Sequence, residues 1–253
     1  MLAQTLRTPP YWLGLDFGTS GARAIAIDAE ARICHQSRIA WTAGAVADPQ
    51  QWRTTLWQLL RDLPDLIKQG LQAIAIDGTS GTVMLCDRTG EPRSEVLLYN
   101  DKRAASLLPE LQAAAPAQHL VQTATSSLAK ALWLQQHSNS AEISAQVSTV
   151  KTWLLHQADW LSFLLHGQLG LSDYHNALKL GYDTEQLVYP DWLLDLATEF
   201  QLPHVLVPGD VIAPIQAAIA QTFQVNPDCV ICAGTTDSNA AFLASPARSP
   251  GEA

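Results

Sequence analysis

Apolar residues run from Tyr11 to Leu15, stop at Asp16, and resume from Ala22 to Ile27 before Asp28. The segment between the two runs is short, polar and glycine-rich, so the pattern predicts a β-hairpin with a polar tip. A third strand is expected over 32–40. Asp48 and Pro49 then carry the signature of a helix start, N-cap followed by proline at the first position. Trp52, Leu56, Leu59, Leu60 and Leu63 recur at helical spacing and mark that helix's buried stripe.

Further along, Ala73-Ile74-Ala75-Ile76 is apolar without alternation, the pattern of a strand covered on both faces in a parallel sheet. It ends in a second polar tip, Asp77-Gly78-Thr79-Ser80-Gly81-Thr82. A hairpin is expected from 83–86 and 94–99 around a turn at 87–90. Helices are expected over 104–117, broken by Pro109 and Pro116, and from Ser126 or Ser127 onward. A strand over 151–155 leads into a helix over 158–166 closed by Gly167. Residues 172–177 read as a polar loop, 190–200 as a helix, 205–210 as an extended segment and turn, and 215–223 as a helix. The last strand, 229–233, ends in Gly234-Thr235-Thr236-Asp237-Ser238 before a helix that starts near Asn239.

Composition narrows the class. The chain has 253 residues, 47% hydrophobic and 15% charged, enough for one large or two small domains with real cores. The net charge of −9, with no basic block, argues against nucleic acid and anionic membrane as partners. No apolar run has the length of a transmembrane helix, and residues 1–10, read as a loose leader, lack the apolar core of a signal peptide. The expectation is a cytoplasmic protein with Cys34, Cys86, Cys229 and Cys232 reduced. The Cys229-x-x-Cys232 spacing lies inside an apolar run and reads as a buried strand rather than a redox or zinc site.

The polar tips carry the candidate chemistry. Gly18 and Gly21 let the backbone approach a ligand closely, and N–H groups with the Thr19 and Ser20 hydroxyls suit phosphate oxygens. Asp16, at a strand end, suits a hydrated Mg²⁺. The tip at Asp77 is either a second ligand loop at the same sheet edge or an ordinary turn. Asn100, Asp101 and Arg103 offer donors and acceptors for sugar hydroxyls, although Asp101 also suits a helix cap. Asp237 is either an N-cap or a general base. His175 reads as a solvated loop residue in preference to a substrate ligand.

Taken in order, the motifs D-F-G-T-S-G-A-R (16–23), D-P-x-x-W (48–52), I-D-G-T-S-G-T (76–82), L-Y-N-D-K-R (98–103), S-S-L-A-K-x-x-W-L (126–134), A-D-W-L (158–161), S-D-Y-x-N-A (172–177) and A-G-T-T-D-S (233–238) resemble the FGGY carbohydrate kinases, closest to the pentulose kinases of cyanobacteria and plants. The resemblance implies an α/β, ribonuclease H-like fold of the actin/hexokinase/Hsp70 superfamily: a mixed five-stranded sheet flanked by helices. It implies ATP and Mg²⁺ as cofactors, a small-molecule sugar as substrate, and a possible homodimer. Asp237 and Asp16 would be catalytic, with Asp16 holding Mg²⁺ through water. Gly18, Thr19, Ser20, Gly21, Arg23 and Thr236 would contact ATP phosphate. Asp77, Ser80, Gly81, Thr82, Asn100, Asp101 and Arg103 would hold the sugar. The small residues Ser80, Gly81 and Thr82 favour D-ribulose over D-xylulose. The pattern departs from the family at Ala131 and Pro246. It corresponds to a sugar-binding domain over 11–233 and the start of a nucleotide domain over 234–253, so the alternative is a non-catalytic sugar-binding half.

Overall fold

A computed structural model describes residues 8–42, 44–137 and 151–245. Its centre is a six-stranded mixed sheet in the order β10-β11-β4-β1-β2-β3. The strands are β1 (Tyr11–Phe17), β2 (Gly21–Ile27), β3 (Ile33–Ala40), β4 (Leu71–Gly78), β10 (Val211–Pro214) and β11 (Val230–Thr236). The expected β1–β2–β3 meander is antiparallel, while β4 pairs in parallel with both β1 and β11. Five strands match the expected sheet. The sixth, β10, pairs antiparallel with β11 at the edge, where Pro214 lacks an N–H and an edge position tolerates it.

One face of the sheet is sealed by α1 (Pro49–Arg61), α5 (Gln157–His166) and α8 (Ala217–Phe223). The Asp48 carboxylate accepts a hydrogen bond from Gln50 N at 2.9 Å, as the sequence signature implies, and Trp52, Leu56, Leu59 and Leu60 are fully buried. A cap of this kind contributes about 1 kcal/mol. Trp52 meets Trp160 of α5 edge to face at 6.2 Å, which locks the two helices together over the sheet. Cys229 lies in this core, its thiol pushed up to about 12 by burial and then by neighbouring Cys232, so the buried-strand reading of the C-x-x-C spacing stands.

A second core forms around β5 (Val83–Cys86), β6 (Thr152–His156), β8 (Phe200–Gln201), α3 (Leu108–Ala114), α4 (Ser127–His137) and α7 (Asp191–Leu196). The expected 94–99 arm of a hairpin meets β5 at one isolated bridge, Leu97 to Val83, with a second just before the arm at Pro92, and β5 pairs with β6 instead. Pro92 stands at one of those bridges and supplies no donor. The helix expected from 104 begins as a 3₁₀ turn over Arg103–Leu107. The segment expected as a loop at 172–177 is ordered: β7 (Leu171–Asp173) pairs in parallel with β9 (His204–Leu206), and Asp173 caps α6 (Tyr174–Leu178). The expected division between residues 233 and 234 falls inside β11, which continues to Thr236. From there α9 (Asp237–Leu243) leaves the sheet. Residues 1–7 of the expected leader and 246–253 of the expected second domain, including the departure at Pro246, lie outside the described residues. Among the described residues no helix is long and apolar enough to cross a membrane.

Candidate active site

Because β1, β4 and β11 run parallel, their carboxyl ends share one sheet edge, where ligands bind in open α/β folds. Asp16 and Asp77 are register partners there, and Thr235 is Asp77's partner on the other side. Asp237 follows at the first position of α9, its Oδ1 accepting from Ser238 N at 2.8 Å. Thr236, not Asp237, occupies the N-cap position. Two close approaches build this edge. A Cβ on Gly21, whose φ is +152°, would overlap the Ile39 carbonyl, and one on Gly234 would overlap the Ile76 carbonyl.

The three carboxyl groups converge. Asp77 is pushed up to about 8, by burial first, then by the charge and proximity of Asp16, then by Asp237. Its Oδ1 is buried and has no hydrogen-bond partner among the described residues. Among the described residues no three His, Cys, Asp or Glu side chains form a direct metal site, so a hard cation at this edge would be held through its waters. Arg23, across β2 from Asp16, approaches its carboxylate at 3.9 Å. Both are well exposed, so the pair adds at most about 1 kcal/mol and leaves Arg23 free to swing to another anion. Gly18 N bonds Gly21 O at 3.0 Å and closes the tip, and Thr19 and Ser20 project into solvent.

The second tip is held from below. Gln157 Oε1 accepts from Thr79 N at 3.1 Å and from Thr79 Oγ1 at 3.0 Å. Thr82, grouped with the sugar residues by its place in the tip, is fully buried. Its hydroxyl sits 2.6 Å from Thr79 Oγ1 and accepts from Tyr99 N at 3.1 Å, so it ties loops together and faces no opening. Thr236 is likewise buried, its hydroxyl accepting from Asn239 Nδ2 at 2.8 Å. Ser80 is half-buried and Asn100 exposed. Asp101 accepts a forked pair of bonds from Arg103, whose other amino group reaches Glu95 Oε2 at 2.7 Å. Burial alone would raise the Asp101 carboxyl, but Arg103's side-chain and backbone hydrogen bonds and its charge outweigh that and hold it low.

Three contributors escape sequence reasoning. Lys130 is fully buried in α4 and donates to Gly81 O and Leu98 O, both at 2.7 Å, and to Tyr99 O at 3.3 Å. A lone cation inside Leu128-Ala129-Lys130-Ala131-Leu132 was the available signal. Ser127, His156 and Asp159 form a buried chain, Ser127 Oγ to His156 Nε2 at 3.0 Å and His156 Nδ1 to Asp159 Oδ2 at 2.9 Å. This chain underlies the Gly81 tip, lies wholly inside the protein and serves as scaffold. His175 is not a solvated loop residue: its Nδ1 lies 2.7 Å from Thr235 Oγ1, two residues before Asp237, and burial lowers its pKa.

Comparisons with known proteins fit this geometry. The chain is 30% identical to a xylulose kinase of Streptomyces rubiginosus over 92% of its own length and 50% of that protein's. It is 26% identical to a glycerol kinase of Trichodesmium erythraeum over 98% of itself and 52% of that protein. The chain thus spans about half the length of the curated relatives it matches. In fold it superposes on the xylulose kinase of Rhodospirillum rubrum with a TM-score of 0.81 at 21% identity, covering 95% of this chain and 52% of that one. The model of the N-terminal domain of the FGGY family of carbohydrate kinases matches residues 11–244. The chain therefore belongs to the FGGY family of carbohydrate kinases.

Proposed function

We propose that the chain supplies the sugar-binding side and the general base of an ATP-dependent ketopentose kinase. The observation that carries this reading is the convergence of Asp16, Asp77 and Asp237 at the carboxyl edge of three parallel strands, beside a glycine tip with exposed hydroxyls. Asp237 takes the proton from the attacking sugar hydroxyl. Its Oδ1 is anchored by Ser238, which fixes the carboxylate while the other oxygen keeps its basicity. Asp77, Ser80, Gly81, Asn100, Asp101 and Arg103 bind and orient the sugar, and Arg103 keeps Asp101 ionised as an acceptor. Gly18, Thr19, Ser20, Gly21 and Arg23 receive the phosphate, with the backbone at Thr236 beside them. Mg²⁺, held by Asp16 through water, would neutralise charge on the phosphate oxygens.

The relatives named xylulose kinase favour a ketopentose over a triol. Within that class the small side chain at Ser80 favours D-ribulose. The burial of Gly81 and Thr82 removes both from that argument, since a Cβ on Gly81 would face Lys179, Thr125 and Ser127. The test is ADP release from Mg-ATP by this chain with D-ribulose, D-xylulose, glycerol and no sugar. Release that depends on a ketopentose is the expected result. Release with glycerol alone overturns the substrate class. A folded sample that a pentulose stabilises, with no ADP formed, establishes instead the non-catalytic sugar-binding half, which the half-length match to the relatives makes the second reading.

A further inference from the structure

We propose that Lys130 is a positioning residue that sets the width of the sugar cleft by tying the 77–82 tip to the 98–101 segment. The inference rests on the sugar-binding reading above and assigns a role to a residue outside the site itself. The two segments flank β5 and the chain that bridges back to it at Leu97. Beyond that backbone bridge they are braced by Lys130 Nζ, which spends all three of its N–H donors on Gly81 O, Leu98 O and Tyr99 O. The tip carries Ser80 and Gly81, and the segment ends in Asn100 and Asp101. One ammonium therefore braces the outer ends of both segments, beyond the Val83–Leu97 bridge, where the expected sugar ligands stand.

The supports around it point the same way. Lys179, just past α6, reaches Ser80 O at 3.4 Å and holds the tip from its other end. Tyr99 N bonds the Thr82 hydroxyl at 3.1 Å, so the tie is doubled between the same two segments. Asp101 N bonds Leu98 O, the carbonyl that Lys130 also takes, which closes the turn presenting Asn100 and Asp101. Among the described residues Lys130 makes no ion pair; it is buried for the sake of carbonyls, an expensive arrangement unless every donor is used. A neutral amine would bring only two N–H groups and turn a lone pair toward the third carbonyl. Burial, and then the charge of Lys179, pull Lys130 down to about 8, while Asp101 opposes the shift. The tie is thus complete at neutral pH and loosens in alkali.

The experiment compares the wild-type chain with Lys130→Met, Lys130→Arg and Leu134→Ala. Leu134 is a fully buried α4 residue whose truncation weakens the same core without removing any hydrogen bond of the tie. Amide exchange protection is read at Thr82, whose N–H bonds Thr79 O, and at Asp101. The shift of the melting midpoint by D-xylulose and D-ribulose is read in parallel. In Lys130→Met, protection at both amides is expected to fall at least tenfold further than in Leu134→Ala, and the sugar shift to vanish. Lys130→Arg is expected to recover part of each. Equal loss of protection in Lys130→Met and Leu134→Ala, or a sugar shift retained by Lys130→Met, overturns the proposal. If Lys130→Met does not fold, Lys130→Arg decides it. Protection at Thr82 and Asp101 and the sugar shift should both fall below wild type in that variant, and wild-type values of both overturn the proposal. A wild type that no pentulose stabilises refutes the sugar reading, while the exchange comparison still judges the tie.

Discussion

Asp16 and Asp77 stand side by side across the parallel β1–β4 pair, and the Asp77 carboxyl is raised to about 8 because it is buried against that neighbour with Asp237 also facing it. Evolution toward stability alone would not place three carboxyl groups at one strand edge. Such crowding is the mark of a site whose charge is to be met by a ligand.

Replacing Asp77 by Asn should therefore stabilise the ligand-free protein. The amide keeps the shape and removes a buried group that is under-partnered as a carboxylate. A gain of about 1 kcal/mol corresponds to a rise of roughly 2–4 °C in Tm for a chain of this size. Thermal melts at neutral pH check it, and a lowered Tm would show that the carboxylates are not in conflict.

Thr82 should behave as a structural residue. Thr82→Val keeps the volume but strands Tyr99 N and breaks the contact with Thr79. A buried donor left unpaired costs about 1–3 kcal/mol. Chemical denaturation should show that loss, and Thr82→Ser should recover most of it. Equal stability of Thr82→Val and wild type would return Thr82 to the open face of the tip.

Acid sensitivity should trace to His166. Its Nδ1 accepts from Gln168 N at 3.0 Å, so the ring is neutral, and burial lowers its pKa to about 4 despite the charge of Asp159. A base with a depressed folded pKa binds its proton first in the unfolded chain. Stability is then lost as pH falls from about 6.5 toward 4. Asp173, raised to about 6 by burial and by Asp159, acts in the opposite sense, since the folded state holds its proton in that range. Denaturation midpoints across pH 4 to 7 should thus steepen in Asp173→Asn and flatten in His166→Gln. Parallel profiles for wild type and His166→Gln would refute the assignment.

The meander, the cap at Asp48 and the parallel strand at β4 were legible because local pattern alone specifies them: an Asp-Pro start, an uninterrupted apolar strand, a glycine turn. The edges were not. β10 is four residues ending in Pro214, too short for alternation to register, and it forms by pairing with β11. Ser172 and Asp173 looked like a loop because buried polar residues carry no hydrophobic signal. Their place is set by partners distant in sequence, such as β9. The two polar tips were visible as strand ends. Thr82 and Thr236, by contrast, had the right neighbours for ligand contact and proved to be buried within the scaffold. Lys130 and His175 were seen as residues, but their work depends on Gly81, Leu98 and Thr235, which only the fold brings near.

The central claim is that Asp237 is the general base, and the most direct measurement is sugar-dependent ADP release by wild type and Asp237→Asn, with pentulose binding followed in the same samples. The account predicts a fall in kcat of about 10²–10⁴-fold, the usual share of a positioned base, with sugar binding and Tm preserved. Sugar-dependent turnover in Asp237→Asn within a few-fold of wild type would contradict it.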